Sequence, residues 1–213
     1  MERKKFFADK NLCRQVTGII LAGGSSIRFG QNKAFADIGG IRMIDRIAEK
    51  MKNIFEQVIL ISNEKERYEY IGIPVIEDLI KGLGPIGGIY TGLMSMSNQA
   101  GFFIACDMPF VNEQLIRYMI GIRDDHAAIV PMVAGNAEPL HAIYSKSCLS
   151  TIKKLIDSNT YRVKLSYEKM PVRYIREDEI EKFCVPNKAF SNINTPDEFR
   201  NIQPLIKTFD AEK

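Results

Sequence analysis

Short unbroken apolar runs alternate along the chain with segments whose apolar residues recur every three or four positions. Unbroken runs are typical of strands buried on both faces, and the longer spacing is typical of helices that bury one face. The runs predict strands at residues 16–21, 57–62, 74–76, 101–106 and 127–132. The periodic segments predict helices at residues 41–55, 86–96 and 112–120.

The pattern changes after about residue 135. It then predicts a strand at 140–144, helices at 146–158 and 161–169, a strand at 172–175 and a closing helix with Pro196 in its first turn. Alternation of strands and helices is typical of an α/β fold: a doubly wound, mostly parallel sheet with helices on both faces. We expect one domain over residues 16–210, preceded by a frayed extension over residues 1–15.

Composition narrows the class of protein. The 213 residues are 46% hydrophobic and 26% charged, as in soluble globular proteins, and a net charge of +3 is too small for a dedicated nucleic-acid binder. No apolar run approaches the ~20 residues that span a bilayer. The four cysteines are far apart and lack nearby histidines, which predicts isolated thiols in a cytoplasmic protein without a zinc site.

The loop after the first predicted strand carries the strongest functional signal. Residues 21–33 read LAGGSSIRFGQNK. The glycines let consecutive backbone N–H groups point at an anion, and Arg28 and Lys33 add two full positive charges. The loop therefore predicts a polyphosphate site.

Two familiar phosphate-binding loops do not fit this segment. A Walker A loop ends in Gly-Lys-Ser/Thr, whereas Gln31 and Asn32 follow Gly30 here. A dinucleotide fingerprint requires G-x-G-x-x-G, which the pair Gly23-Gly24 does not provide. The alternative to a polyphosphate site is a glycine-rich turn with two solvated cations and no binding function.

Three polar residues follow other predicted strands. Asp107 is a candidate ligand of Mg²⁺, which prefers one or two carboxylates together with phosphate oxygens and water; the alternative is a loop cap. Asp78, ahead of the glycine-rich residues 82–88, could accept hydrogen bonds from a base or ribose, or could be a turn carboxylate. Asn63 could face the base or cap the next helix. Ligands bind at the carboxyl ends of strands in such sheets, so we expect these segments to converge.

Two further segments offer weaker candidates. Asn192 and Asn194 lie on the same side if the chain is extended there, and one of them could offer its amide oxygen to the metal. Helix capping is the alternative for this segment. Glu138 and His141 lie near the same edge. His141 could meet an acceptor substrate, but a single histidine before an apolar strand favours packing.

The first loop resembles the signature of nucleotidyltransferases that move a nucleoside monophosphate from a triphosphate onto a phosphate, commonly LAGG-x-S-x-R-[MF]-G-x-D-K. It departs by having Asn32 where aspartate is common. The matching residues are Gly23, Gly24, Ser26, Arg28, Gly30 and Lys33. With VIED, GPIGGIYTGL, ACDMP, EPLHAIY and NINTPDEF, residues 17–199 resemble the molybdenum cofactor guanylyltransferases.

The resemblance implies a Rossmann-like fold of the nucleotide-diphospho-sugar transferase kind and transfer of GMP from Mg-GTP to molybdopterin, with release of pyrophosphate. Catalytic roles would fall to Arg28, Lys33 and Asp107. The implied GTP-binding residues are Leu21, Ala22, Gly23, Gly24, Ser26, Lys33, Asn63, Asp78 and Asp107. Mg²⁺ would lie at Asp107 beside Asn192 or Asn194. Implied partners are GTP, molybdopterin and possible recipient molybdoenzymes or other cofactor-biosynthesis proteins, with no nucleic acid or membrane.

Three alternatives stay open at the level of sequence. Cytidylyltransferases of the same cofactor usually carry LAAG, a Ser-Ser motif in place of Gly87-Gly88, and a DIDTPED-like segment, so guanine is favoured here. A sugar-phosphate nucleotidyltransferase is a second possibility. A non-catalytic nucleotide or cofactor carrier is a third, because Asn32 replaces the usual aspartate.

Overall fold

The computed structural model of the chain describes residues 8–23, 33–193 and 198. Four candidate site residues lie outside these ranges: Gly24, Ser26, Arg28 and Asn194. The closing helix expected at Pro196 also lies outside them.

The described residues form ten strands and seven α-helices. The strands are β1 (Val16–Leu21), β2 (Asp37–Ile38), β3 (Ile41–Arg42), β4 (Val58–Ile61), β5 (Val75–Ile76), β6 (Ala100–Ala105), β7 (Ala128–Val133), β8 (Asn136–Ala137), β9 (His141–Ser145) and β10 (Val172–Ile175). The α-helices are α1 (Lys10–Arg14), α2 (Met43–Ile54), α3 (Pro85–Ser95), α4 (Glu113–Gly121), α5 (Leu149–Asp157), α6 (Glu177–Ile180) and α7 (Pro186–Ala189). Shorter 3₁₀ segments occupy Lys33–Phe35, Lys65–Arg67, Glu69–Ile71, Lys146–Cys148 and Val163–Lys169.

The main sheet has the strand order β10-β7-β9-β6-β1-β4-β5, with β8 paired to β7. Strand β1 is parallel to both β4 and β6, and β5 is parallel to β4. Strand β9 runs antiparallel between β6 and β7. The predicted mostly parallel sheet is confirmed, and the carboxyl ends of β1, β4, β5 and β6 lie along one edge.

Both faces of this sheet are buried under helices. Ile20 and Phe102 belong to the core shared with α2 and α4, whereas Ile19 and Phe103 belong to the core shared with α3 and α5. Successive strand residues point to opposite faces, so an unbroken apolar run fills both cores at once. This is why the apolar runs identified the central strands.

The amino-terminal segment is part of the fold from residue 8 onward, so the expectation of a frayed extension is wrong for that part. Asp9 caps α1 by accepting a hydrogen bond from the Leu12 N–H at 2.9 Å. The Ala8 N–H donates to the Arg117 carbonyl at 3.1 Å, and Cys13 is buried. The overlooked signal is Asp9, because aspartate is a favoured N-cap residue.

A hairpin occupies the start of the helix predicted at residues 41–55. Strands β2 and β3 pair around Gly39 and Gly40, whose φ angles of 68° and 90° suit a two-residue hairpin turn. Helix α2 therefore begins at Met43, whose N–H donates to the Ala36 carbonyl at 2.9 Å. The strand Ile41–Arg42 was missed because two residues are too few to show a period.

The helix predicted at residues 161–169 is a 3₁₀ segment over Val163–Lys169. The buried Ser166 hydroxyl donates to the Val163 carbonyl at 2.7 Å, a local bond that competes with regular α-helical pairing. The helix predicted at 146–158 likewise opens with a 3₁₀ turn, Lys146–Cys148, before α5.

No helix within the described ranges is long and apolar enough to cross a bilayer. The four cysteines are free thiols, three of them buried, as the sequence predicts.

Close packing of α3 on the sheet predicts the effect of Gly92→Ala. A Cβ at Gly92 would lie 2.6 Å from Cε1 of Phe103 and 3.1 Å from Cγ2 of Ile19. Overpacking typically costs about 1–3 kcal/mol, which exceeds the gain of up to ~1 kcal/mol in helix propensity. We therefore expect a lower free energy of unfolding, measured by urea denaturation.

Met94→Ala on the exposed side of the same helix is the control, and should change stability by less than about 0.5 kcal/mol. A Gly92→Ala protein as stable as the wild type would contradict this packing.

Candidate active site

A cavity of 540 Å³ opens at the edge of the sheet where β1, β4 and β6 end. Six of the candidate residues identified from the sequence line it: Leu21, Gly23, Lys33, Asn63, Asp78 and Asp107. Segments that are distant in sequence are therefore adjacent here, as the strand-end argument predicts. The lining combines two carboxylates, one ammonium group and an asparagine amide.

The end of β1 is held by its neighbours on both sides. The Ala22 N–H donates to the Ile61 carbonyl at 2.9 Å, and the Cys106 N–H donates to the Leu21 carbonyl at 3.0 Å. Ala22 is buried in the core, and its N–H is committed to the sheet. In the predicted nucleotide contact, Leu21 would take part through a carbonyl that already accepts one hydrogen bond, and Ala22 and Gly23 would take part through their other backbone groups.

The main role of the glycines at the start of α3 is to allow close packing. Gly84, with a φ of 64°, is the N-cap, and its carbonyl accepts hydrogen bonds from the Gly87 and Gly88 N–H groups at 3.0 and 3.4 Å. A Cβ at Gly88 would lie 3.1 Å from Cδ2 of Leu21. Gly88 therefore lets α3 approach the end of β1, and the N–H groups of both glycines are already paired inside the helix.

Lys33 and Asp107 form the central ion pair of the cavity. The Lys33 ammonium group donates to Oδ2 of Asp107, although the two residues are 74 positions apart. Their side chains are 22% and 15% exposed, so water screens this pair less than a surface pair. The cation and the anion predicted from separate motifs thus meet at one point.

An aromatic stack positions Lys33. The 3₁₀ turn Lys33–Phe35 places the Phe35 ring on Tyr68, with ring centroids 5.0 Å apart. The guanidinium carbons of Arg67 and Arg42 lie 4.9 and 5.8 Å from the Phe35 centroid, within cation–π range. This support was not identified from the sequence, because its members come from three separate segments.

Asn63 and Asp78 are joined by two hydrogen bonds. Nδ2 of Asn63 donates to Oδ2 of Asp78 at 2.8 Å, and the Asp78 N–H donates to Oδ1 of Asn63 at 3.2 Å. Burial raises the pKa of Asp78, while Asn63, Lys81 and the nearby Thr91 hydroxyl oppose that shift. Its Oδ1 is buried and makes no hydrogen bond of regular geometry among the described residues. Ser62, and not Asn63, accepts the Glu64 N–H at 3.1 Å, so the capping alternative for Asn63 is wrong.

Asp107 also has a free oxygen that suits a cation. Its Oδ1 is buried and finds no hydrogen-bond partner within the described part of the chain. These residues contain no cluster of three or more His, Cys, Asp or Glu side chains that could hold a metal alone. Mg²⁺ needs only one or two carboxylates when phosphate oxygens complete its shell, so the arrangement fits a metal shared with a ligand.

The chain near Asn192 is anchored beside Asp107. The Ile193 N–H donates to the Asp107 carbonyl at 3.1 Å, and both Asn192 and Asp107 line a second cavity. Asn192 is thus near the carboxylate.

Two residues near the cavity are excluded from its chemistry by burial. His141 is 1% exposed, contacts the Phe102 and Phe190 rings, and has its pKa lowered to about 3 by burial. It is a packed residue, as the sequence favoured. Burial raises the pKa of Cys106 to about 12, so its thiol is not a ready nucleophile.

Comparison with known proteins places this geometry in context. The model of the family described as "MobA-like NTP transferase domain" matches residues 18–170. A probable molybdenum cofactor guanylyltransferase of Pelotomaculum thermopropionicum is 36% identical over 184 residues, covering 86% of this chain and 90% of the relative. A molybdenum cofactor guanylyltransferase of Desulfosudis oleivorans is 37% identical over 194 residues, covering 90% and 96%.

A solved structure supports the same family relationship. The molybdopterin-guanine dinucleotide biosynthesis protein A of Archaeoglobus fulgidus superposes with a TM-score of 0.79 at 25% identity, covering 91% of this chain and all of that one.

Burial of His141 generates a prediction about pH. Because the pKa is about 3 in the folded protein and near 6.5 when unfolded, folding disfavours the proton, and stability is lost as pH falls below about 6.5. In the wild type, this effect should lower the free energy of unfolding by about 2 kcal/mol between pH 7 and pH 5. The variant His141→Phe should lack this decrease. Urea denaturation at both pH values measures this difference.

Phe190→Leu perturbs the same contact without removing a titratable group, and should lower stability equally at both pH values. The same pH dependence in the wild type and His141→Phe would contradict the buried neutral state.

Proposed function

The chain belongs to the family of MobA-like NTP transferase domains, and from that premise we propose that it transfers GMP from GTP to the terminal phosphate of molybdopterin. The products are pyrophosphate and molybdopterin guanine dinucleotide. The observation that carries the proposal is the meeting of Lys33, Asp78 and Asp107 in one cavity. We assign the activity to a single domain over residues 16–210, and expect molybdoenzymes or other cofactor-biosynthesis proteins to receive the product.

The transfer forms one bond and breaks one. An oxygen of the acceptor phosphate attacks the α-phosphorus of GTP, the bond from that phosphorus to the bridging oxygen breaks, and pyrophosphate leaves with the electron pair. Both reactants are anions, so positive groups must lower their repulsion. We assign that role to Lys33 and Arg28, with Gly23, Gly24 and Ser26 holding the triphosphate. Positioning and electrostatics provide most of the catalysis in phosphoryl transfer.

We propose that Asp107 binds Mg²⁺ together with triphosphate oxygens, with Asn192 or Asn194 beside it. The bound ion would neutralise charge on the triphosphate. Oδ1 of Asp107, which is buried and has no hydrogen-bond partner among the described residues, supports this assignment. Lys33 already neutralises the carboxylate in this structure, and on nucleotide binding its ammonium group would turn to a phosphate oxygen.

We assign recognition of the guanosine end to Asp78 and Asn63, together with the backbone of Leu21, Ala22 and Gly23. Guanine presents adjacent N–H donors, and the free, buried Oδ1 of Asp78 is an acceptor that lacks a partner in the described residues. Asn63 fixes the orientation of this carboxylate through its two hydrogen bonds.

The base assignment is tested by pyrophosphate release from full-length protein with molybdopterin and each of the four nucleoside triphosphates in turn. We expect turnover with GTP, and a fall in GTP affinity of about tenfold or more in Asp78→Asn, because a charged hydrogen bond contributes about 1.5–3 kcal/mol. Folding disfavours the ionised form of Asp78, so this variant should keep its stability at neutral pH. Turnover with CTP but not GTP would contradict the assignment.

The catalytic pair is tested by Lys33→Gln and Asp107→Asn. Removing one preorganised electrostatic group typically lowers kcat by ~10²–10³, and we expect a loss of that size in each variant. Asp107→Asn should also weaken the dependence of GTP binding on Mg²⁺, measured by calorimetry. The exposed Lys154→Gln on α5 is the control and should match the wild type. Unchanged binding and activity in Asp107→Asn would contradict the role assigned to Asp107, whereas tight GTP binding by a wild-type protein that releases no pyrophosphate would favour a non-catalytic carrier.

A further inference from the structure

A second cavity, of 300 Å³, adjoins the first across Asp107 and Leu140, which line both. Its other polar lining residues are Asn136, Glu138, Lys164 and Asn192. Since a transferase must bring two substrates to one reacting atom, a compartment next to Asp107 is in the right place for the second substrate.

The loop that carries Glu138 is fixed by backbone bonds. The Glu138 N–H donates to the Pro131 carbonyl at 2.9 Å, and the Glu138 carbonyl accepts the His141 N–H at 3.2 Å. Strand β8, directly before Glu138, pairs with the end of β7. The carboxylate therefore projects from a restrained turn.

A buried pair of tyrosines connects this loop to the segment that carries Lys164. The Tyr144 hydroxyl donates to the Pro139 carbonyl at 2.9 Å and lies 2.6 Å from the Tyr167 hydroxyl. Tyr167 and Lys164 belong to the same 3₁₀ segment, Val163–Lys169. Tyr144 and Tyr167 are both buried. The segments that carry Glu138 and Lys164, the two charged walls of the cavity, are therefore fixed relative to each other before any ligand binds.

The charges of the two walls are free to engage a ligand. Within residues 8–23 and 33–193, no hydrogen bond or ion pair involves the Glu138 carboxylate or the Lys164 ammonium group. Burial raises the pKa of Glu138, and the positive charge of Lys164 opposes that shift. The two side chains therefore interact electrostatically across the cavity. A half-buried carboxylate without a partner is costly and is stabilised by a ligand that donates hydrogen bonds.

We propose that this second cavity binds the acceptor: Glu138 accepts the paired N–H groups of a 2-amino-4-oxo-pterin edge, and Lys164 pairs with the acceptor's phosphate. The inference rests on the proposed function, and it names the acceptor-recognition residues of that site. A pterin presents its amino group and ring N–H side by side, which matches the two oxygens of a carboxylate. The shared wall at Asp107 lets the phosphate end reach the nucleotide while the ring stays in its own compartment.

The probes are two fluorescent ligands, 6-hydroxymethylpterin and its phosphate monoester, titrated into the full-length protein by fluorescence. A GTP analogue with a methylene group between the α- and β-phosphorus atoms saturates the first cavity. Glu138→Gln should weaken both pterins by about tenfold, since it removes a charged acceptor. Lys164→Gln should weaken the phosphate monoester by about tenfold and leave 6-hydroxymethylpterin unchanged.

Matched controls come from the same segment. Glu168→Gln and Lys169→Gln replace exposed charges on Val163–Lys169 and should bind both pterins as the wild type does. All four variants should keep the wild-type affinity for the GTP analogue and the wild-type thermal midpoint. With molybdopterin as the substrate, Glu138→Gln and Lys164→Gln should raise KM by a similar factor and leave the KM for GTP unchanged.

The inference and the proposed function can fail separately. Wild-type protein that turns over GTP and molybdopterin, with Glu138→Gln and Lys164→Gln matching it in pterin binding and KM, would overturn the acceptor cavity alone. Pterin binding that depends on Glu138 and Lys164, in a protein that neither binds GTP nor releases pyrophosphate, would overturn the guanylyl transfer and leave the cavity standing.

Discussion

Parallel pairing of β1 with β4 on one side and β6 on the other brings the parts of the candidate site together. The register sets Leu21 opposite both Ile61 and Ala105, so three segments leave the sheet at the same level. Lys33 follows one of these strands and Asp107 another, and their ion pair closes a gap of 74 residues. A slip of one residue would exchange the two buried faces of β1, so the same hydrophobic packing that holds the fold also fixes the ion pair.

Much of this arrangement could be predicted from the sequence, because central strands filling two cores leave unbroken apolar runs. Asp78 and Asp107 were identifiable from their positions just beyond such runs. The Phe35–Tyr68 stack and the Asn63–Asp78 pair were not, since contacts between distant residues leave no period in the sequence. The β2–β3 hairpin and α1 were missed because two or five residues are too few for periodicity, and only Gly39, Gly40 and Asp9 marked them.

On the function proposed above, each of the two cavities that share Asp107 and Leu140 would take one substrate. The larger one carries one carboxylate oxygen each of Asp78 and Asp107 that has no hydrogen-bond partner among the described residues, and these oxygens suit a base and a cation. The smaller one carries Glu138 and Lys164, which suit a heterocycle with an attached phosphate. Glycines contribute mainly by letting α3 approach the sheet, so that its first turn and the end of β1 form a common wall. Packing shapes the two cavities, and the proposed specificity rests on a few polar groups that have no hydrogen-bond partner in the described part of the chain.

The central claim is that one triphosphate contacts the backbone that follows β1 at Gly23, the Lys33 ammonium group and the Asp107 carboxylate. A crystal structure with Mg²⁺ and the methylene analogue of GTP tests it most directly. The account predicts the triphosphate in the 540 Å³ cavity, the guanine at Asp78, Mg²⁺ about 2.1 Å from an Asp107 oxygen, and the Lys33 ammonium group on a phosphate. A nucleotide bound elsewhere, with Lys33 and Asp107 still paired and no metal between them and the phosphates, would contradict it.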